Sequence, residues 1–395
     1  MHLIERYSLS TGSKISKPFI NEVYFPIPFE KYITFQAQSK FPSKDYDYWQ
    51  DCLDFIYPIL EKLGIYIIQL GSPNEKSYKR IVDLRGQTSI NQLAYVMKNA
   101  LLHLGPDSLG VHLASMYDIP IVGLYSITQS TIAGPYFGSK DKQILFEAYK
   151  NNPNGKPSYS AQENPKCINT IKPEEIANAV FKLLNIDVKL PLETVYIGSK
   201  YCKDFVRELI PNSFNIINNP NDQIEIRCDL FFDEKILTHH LSYLKKAIII
   251  TNKRLPINVI RHFKQNIAVI VYKIEENDDP SFINEIASYG LPVVLLSSLT
   301  GETLTNKKLN YYEFGNINPI IQSKPEIIQQ LRKDVDKLYF KSCKLIANED
   351  KIYGSHASIK QNSPLLKDSE YQPVIDTAEF WEDLEFFHII KTIKK

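Results

Sequence analysis

Along the first 190 residues the apolar positions fall alternately into strand-like runs and helix-like spacings. Tyr48–Leu63 places apolar residues at helical intervals and ends at Gly64. Lys31–Gln36 and Ile65–Leu70, on either side of it, are short apolar runs of the kind buried in a parallel sheet. Val82–Leu84 is a further short strand, and Ser89–Asn99 a helix whose start is marked by Thr88 or Ser89. Ala100–Leu104 then leads into LGPDSLGVHLASMYDIPIVGLY, residues 104–125, a polar turn, a helix over Val111–Tyr117, a stop at Pro120 and a strand over Ile121–Tyr125. Strands alternating with helices predict a parallel sheet with helices on both faces. Ligands of such sheets bind beyond the carboxyl ends of the strands. The loops at 37–45, 71–75, 85–88 and 105–110 all leave strands at that edge and converge there.

The rhythm resumes after a polar, Pro/Asn-rich loop (Tyr149–Lys172, with Ser158, Tyr159 and Ser160) and a helix from Pro173 to about Leu184. Thr194–Ile197, Phe214–Ile217, Ile224–Phe232, Ala247–Thr251, Ala268–Tyr272, Val293–Ser297 and Tyr311–Phe314 read as strands. Tyr201–Leu209, Asp233–Leu244, Ile257–Phe263 and Pro280–Tyr289 read as helices. Residues 325–346 read as one helix, 348–354 as a turn or hairpin, and AEFWEDLEFFHII as an amphipathic helix in need of a surface, its own protein's or an oligomer partner's. The expected class is α/β: two Rossmann-like parallel-sheet domains, residues 1–187 and 194–320, with a helical extension over 325–395.

Composition narrows the picture. At 395 residues, with 44% apolar and 23% charged residues, the chain has enough material for two cores. A net charge of +1 argues against a broad polyanion-binding surface. The five cysteines (Cys52, Cys167, Cys202, Cys228, Cys343) are scattered without a CxxC pair, which argues against a disulfide framework or zinc site. No apolar run has membrane-spanning length and the start lacks a signal-peptide pattern, so a soluble, reducing, cytoplasmic setting is expected.

The candidate chemistry gathers at the sheet edge. Gly105, Pro106, Asp107, Ser108 and Gly110 form a turn that opens a helix, and free N–H groups at a helix start suit a phosphate. They equally suit an ordinary capped turn. Lys44, in the loop after the first strand, can meet a diphosphate as a point charge, or lie solvated at the surface. Asp107 more naturally caps the helix or accepts bonds from the loop or a sugar hydroxyl. His112 is either a ligand or a packed histidine. In the second domain, Asp229, Asp233, Glu275, Glu276, Asp278 and Asp279 are carboxylates near strand ends, where a general base can sit. Asp233 also reads as a helix cap, and His239-His240 as packing.

Four segments, in order, resemble glycosyltransferase family 9, the heptosyltransferase-like enzymes. QAQSKFPSKDY resembles the family's strand and lysine loop. DLRGQTSINQLAYVMKNA resembles its G-x-T-S-L-x-E-L helix start. GPDSLGVHLASMYDIPIVGLY resembles D-S-G-x-x-H-L-A-A-x-x-x-x-P-V-x-x-L-(F/Y), and IKPEEIANAVFKLL its closing helix. The resemblance covers about residues 31–185, the carboxyl-terminal, donor-binding half of the family. It implies a GT-B-like protein, donor domain first, that uses a nucleotide-diphospho-sugar and no metal or other cofactor. By position it places Lys44 on the donor phosphate with Ser39 and Lys40 in the same loop. Thr88 falls by the base, and Asp107, Ser108 and Gly110 at the diphosphate turn with His112 behind it. Leu109 stands where the family has glycine. The opening MHLIERYSLSTG resembles the connector after the family's acceptor domain. That other half holds the family's general base, so Asp229 and Glu275 are the candidates here for a replacement.

The expected function is sugar transfer from such a donor to an acceptor that the sequence leaves open: a glycan, a lipid-linked sugar, a protein or a modified nucleobase. The C-terminal tail is expected to pack on the protein's own domains, with homo-oligomerisation through it as the alternative. The alternative is a non-catalytic binding or assembly protein that reuses the donor fold.

Overall fold

Tyr32–Gln36 (β1) is buried from Tyr32 to Phe35 and runs through the middle of a sheet. A strand covered on both faces must be apolar nearly throughout, as YITF is. In the computed structural model, which describes residues 1–201, 206–215, 223–320, 324–365 and 371–393, the chain divides near residue 192 into two compact units.

The first unit contains α1 (Leu3–Thr11), β1, α2 (Trp49–Lys62), β2 (Tyr66–Leu70), β3 (Val82–Asp83), α3 (Ile90–Lys98) and β4 (His103–Pro106). It continues with α4 (Leu109–Met116), β5 (Ile121–Tyr125), α5 (Ser130–Ala133), β6 (Gln143–Glu147) and α6 (Pro173–Leu183). The six strands are all parallel, in the order β3-β2-β1-β4-β5-β6. That is the Rossmann order. Pairing is in step from Tyr32↔Tyr66 to Gln36↔Leu70, so β1 and β2 end level at the carboxyl edge. Gly105 and Pro106, read as turn, are the end of β4; α5 went unread, and so did β6. It is a half-buried edge strand with polar ends, and its alternation is weak.

The second unit opens with β7 (Leu192–Ile197), β8 (Val206–Ile210), β9 (Ile224–Arg227), α7 (Glu234–Tyr243), β10 (Ala247–Thr251) and α8 (Ile257–His262). Next come β11 (Ile267–Ile274), α9 (Ser281–Ser288), β12 (Val293–Ser297), α10 (Gly301–Asn310), β13 (Ile317–Pro319) and α11 (Pro325–Arg332). It closes with β14 (Leu338–Ser342), β15 (Lys344–Asn348), β16 (Lys351–Tyr353), α12 (His356–Lys360), β17 (Gln372–Pro373), α13 (Ala378–Glu382) and β18 (Phe387–Thr392). Its main sheet runs β13-β12-β11-β10-β9-β8-β15-β16, parallel from β8 to β13 and from β8 to β15. Strands β8 to β13 advance in one direction, so right-handed crossovers put the helices between them on one face. Ile226, Ile249, Ile270 and Leu295 point to that face and share a core with Leu237, Ile260 and Ile283. Ile248, Ile250, Val269 and Val271 face the other way and stay partly exposed.

Several sequence readings in this unit need correction, among them the strand over Ile224–Phe232, which ends at Arg227 and turns. The helix over 325–346 stops at Arg332 and gives way to β14 and β15. Leu338 and Phe340 are buried while Tyr339 between them is only partly so, a period of two that ladder pairing then fixes. The amphipathic helix over AEFWEDLEFFHII is instead the short α13 followed by β18, so the helical C-terminal extension is largely a four-stranded sheet, β17-β14-β18-β7. Phe380, Trp381, Phe387 and Ile389 are buried inside this unit, beside Phe340. Residues 206–209, read as helix, belong to β8. Residues 202–205 and 216–217, the rest of that reading and part of the Phe214–Ile217 strand, lie outside the described residues. Tyr312–Phe314 is a 3-10 turn, and the strand falls three residues later, at Ile317–Pro319. The hairpin near 348–354 is present as β15–β16.

Among the described residues no helix is long and apolar enough to cross a membrane. Cys52, Cys167, Cys228 and Cys343 are buried.

Candidate functional site

In the first sheet the direction of winding reverses between β1 and β4, so the loops leaving these neighbours diverge and open a crevice. The loop after β1 is tied down at several points. Trp49 Nε1–H donates to the Ala37 carbonyl at 2.9 Å. The Ser126 hydroxyl donates to the Ser43 carbonyl at 2.9 Å, and Lys166 Nζ to that of Asp45 at 2.9 Å. The Ser43 N–H donates to the Ala161 carbonyl at 3.3 Å. The 149–172 loop thus braces the turn that carries Lys44, while Ser158, Tyr159 and Ser160 face neither cavity described below.

Lys44 crosses the crevice. Its Nζ donates to Asp107 Oδ2 at 2.6 Å, and the two side chains are 13% and 6% exposed. Thr128 Oγ1, after β5, donates to the same oxygen at 2.8 Å. His112 Nε2 stands 3.8 Å from Asp107 Oδ1. Burial of the imidazole lowers its pKa from the ordinary value against the pull of Asp107, so the ring is neutral at pH 7.

The start of α4 is held from β1. Gln36 Oε1 accepts from the Ser108 hydroxyl at 2.9 Å and from the Gly110 N–H at 3.2 Å. Ser108 itself makes no capping bond, so a side chain 74 residues back supplies the cap. A Cβ on Gly110 would lie 2.4 Å from His103 Nε2 and 2.7 Å from Gln36 Oε1. Gly110 therefore serves the close approach of helix to strand. His103 below it is buried, with Nδ1 3.0 Å from Thr34 Oγ1, and burial pushes its pKa down to about 3.

Two cavities meet at this point and share Lys44, Asp107 and Leu109. The polar one, about 430 Å³, is also lined by Gln38, Ser39, Lys40, Glu75 and Ser108. The other, about 550 Å³, is mainly apolar and lies between α4, the N-terminal segment and residues 133–137. Leu109, 51% exposed, stands between them. Of the residues singled out in the sequence, Ser39, Lys40, Lys44, Asp107, Ser108 and His112 line one cavity or the other. Gly110 lies beneath. Thr88 is at the start of α3, beyond edge strand β3, and lines neither. Gln36, His103 and Thr128 went unread, because each acts on residues far from it in sequence.

The second unit contains the base candidates. Arg227 grips Asp229 with Nε and Nη2, both at 2.8 Å, and Lys273 bonds it from β11. Burial would raise this carboxyl, but the two cations outweigh it and hold the pKa below the usual range. That makes Asp229 a weak base. Glu275 is exposed and accepts from Asn252 Nδ2 at 2.7 Å. Asp233 caps α7, accepting from the N–H groups of Lys235 and Ile236. Asp278 accepts from the Glu275 N–H at 2.7 Å, Asp279 pairs with Arg254, and Glu276 is exposed. His239 and His240 bond the carbonyls of Phe214 and Ser213. Among the described residues no three His, Cys, Asp or Glu side chains are placed to hold a metal.

Comparison with known proteins bears on the first unit. A search of the curated proteins finds no match. Among solved structures, the chain is similar to a family 9 glycosyltransferase from Veillonella parvula (20% identity, 46% of this chain and 50% of that one, TM-score 0.33). It is also similar to E. coli ADP-heptose LPS heptosyltransferase II (16%, 46% and 51%, 0.31) and to the E. coli heptosyltransferase WaaC with ADP (20%, 48% and 57%, 0.31). The chain spans about half the length of these proteins, and at such scores the superpositions carry no argument. The sequence carries it: residues 13–163 match the model of glycosyltransferase family 9 (heptosyltransferase), the family that the motifs after Lys31 resemble.

Proposed function

We propose that the first unit binds a nucleotide-diphospho-sugar and that the protein transfers the sugar to an acceptor hydroxyl. The observation that carries this reading is the braced Lys44–Asp107 pair at the switch point of a Rossmann sheet. When the bond from the anomeric carbon to the diphosphate breaks, the electron pair leaves on phosphate oxygen. Lys44 has further N–H donors to offer that charge, and the start of α4 presents its positive end. Asp107 repels phosphate. Oriented by Thr128, it suits a sugar hydroxyl instead. Ser39, Lys40 and Ser108 line the polar cavity, where the diphosphate would lie. Of the two base candidates of the second unit, Asp229 is ill suited to accept a proton, because its carboxylate is already taken by two cations.

UDP, GDP, ADP and CDP are each to be titrated against the full chain while its melting temperature is followed. One of them raises it, and Lys44→Ala weakens that binding by about ten- to a hundredfold, the effect of losing one charged hydrogen bond. No response to any of the four contradicts the reading. A second reading, a non-catalytic binding or assembly protein that reuses the donor fold, is favoured by Leu109 and by Gln36, which already caps the N–H of Gly110 at the turn. Binding without turnover of any sugar nucleotide supports it.

A further inference from the structure

The apolar cavity of the first unit is not needed to hold a diphosphate. We propose that it binds the apolar body of an alcohol, the acceptor of the transfer proposed above; its identity as acceptor rests on that reading. The walls include Leu3 and Ile4 of α1, Leu113 and Met116 of α4, Ala133 at the end of α5 and Phe137 after it. Its volume, about 550 Å³, is in the range of small-molecule sites. Polar groups sit at one pole, where Lys44, Asp107, His112 and Thr128 converge.

The chemistry of that pole selects the head group. Asp107 puts a carboxylate at this pole and its partner Lys44, 2.6 Å away, also faces the polar cavity, so an anionic head here would be repelled by Asp107. A hydroxyl finds complementary partners. Asp107 Oδ2 takes Lys44 and Thr128, whereas Oδ1 faces His112 Nε2 across 3.8 Å, too far for a direct hydrogen bond. An O–H placed there donates to either atom.

The cover over the cavity is held by polar contacts rather than by a core. No residue of α1 is fully buried. His2 caps the helix, its Nε2 lies 3.0 Å from the Gly134 carbonyl oxygen, and its ring rests on Tyr136 at 4.8 Å. Leu3 and Ile4 thus line the cavity while only partly buried, and an apolar ligand would complete their burial. Tyr7, Leu9 and Phe19, 64%, 71% and 87% exposed, extend the apolar surface of the same segment.

The test is a ladder of 1-alkanols from butanol to decanol, with the matching methyl ethers, titrated calorimetrically into the full chain. The proposal expects affinity to rise about fourfold per methylene until the cavity is full. It expects each alcohol to bind at least about tenfold more tightly than its ether. Ala133→Phe, or Met116→Phe should the first fail to fold by circular dichroism, flattens the ladder and leaves nucleoside diphosphate binding unchanged. No dependence on chain length, a ladder that survives both fillings, or ethers equal to alcohols overturns it. So does a dimer that binds alkanols only on dilution, since a second copy would then fill the cavity. Diphosphates binding without alkanols sinks this proposal alone. Alkanols binding without diphosphates sinks the donor reading and, with it, the acceptor role.

Discussion

Gly110 is a glycine because His103 lies beneath it. Alanine there would drive its Cβ into the buried imidazole and the Gln36 amide, so Gly110→Ala is expected to destabilise the protein by about 1–3 kcal/mol in urea unfolding. If the residue contacted phosphate alone, stability would not change. Lys44 and Asp107 were legible in the sequence because loop lysines and Asp-Ser turns carry local signals and matched a known motif. Gln36, His103 and Thr128 gave no such signal. A glutamine ending a strand and a histidine starting one look ordinary until folding brings them to the same helix start. Leu109 was legible as a departure, and the structure shows its consequence: it divides a polar from an apolar cavity.

Between elements, a buried charge network joins β8, β9 and β15 to α12 and the end of α13. Glu208 accepts from Arg227 at 2.8 Å and Lys344 at 2.6 Å, and Lys344 also pairs with Asp383 at 2.8 Å. His356 lies between Asp383 (2.9 Å) and Glu208 (3.0 Å), with Arg227 Nη1 3.3 Å from its Nε2. Burial opposes its charge, but the two carboxylates outweigh burial and raise its pKa. A raised histidine adds stability that is complete below about pH 6.5 and lost as pH climbs through the folded value. Glu208 and Asp383 are lowered, so their contribution is present above about pH 4 and lost in acid. Urea unfolding should therefore show stability falling above pH 6.5, and His356→Gln should remove that slope. Lys344→Met, which leaves Glu208 and Asp383 each one cation short in a buried network, is expected to cost about 3–5 kcal/mol by the same measurement. Sequence spacing missed this region for a physical reason. Phe380, Leu384 and Phe387 fall at helical intervals, yet pairing of Phe387 and Ile389 with Ser342 and Phe340 decides for strand. Non-local pairing overrides local periodicity where aromatic and β-branched residues suit both.

Over the whole molecule, each unit builds a parallel sheet, but the sheets are wound differently. The first reverses at β1/β4 and so makes a crevice, where the loop lysine and the Asp-Ser turn meet. In the second, β8 to β13 advance one way, and the sheet's charged groups pair among themselves. The alternation of strand and helix made most of the first sheet readable and, in the second, β9 to β12. The reversal depends on strand order, which sequence does not display, and it is what turns separate loops into one site. The most direct test is calorimetric titration of UDP, GDP, ADP and CDP into the full chain and its Lys44→Ala variant. The account predicts that one of them binds the natural chain and that the variant binds it about ten- to a hundredfold more weakly. Equal binding by both, or none by either, would contradict it.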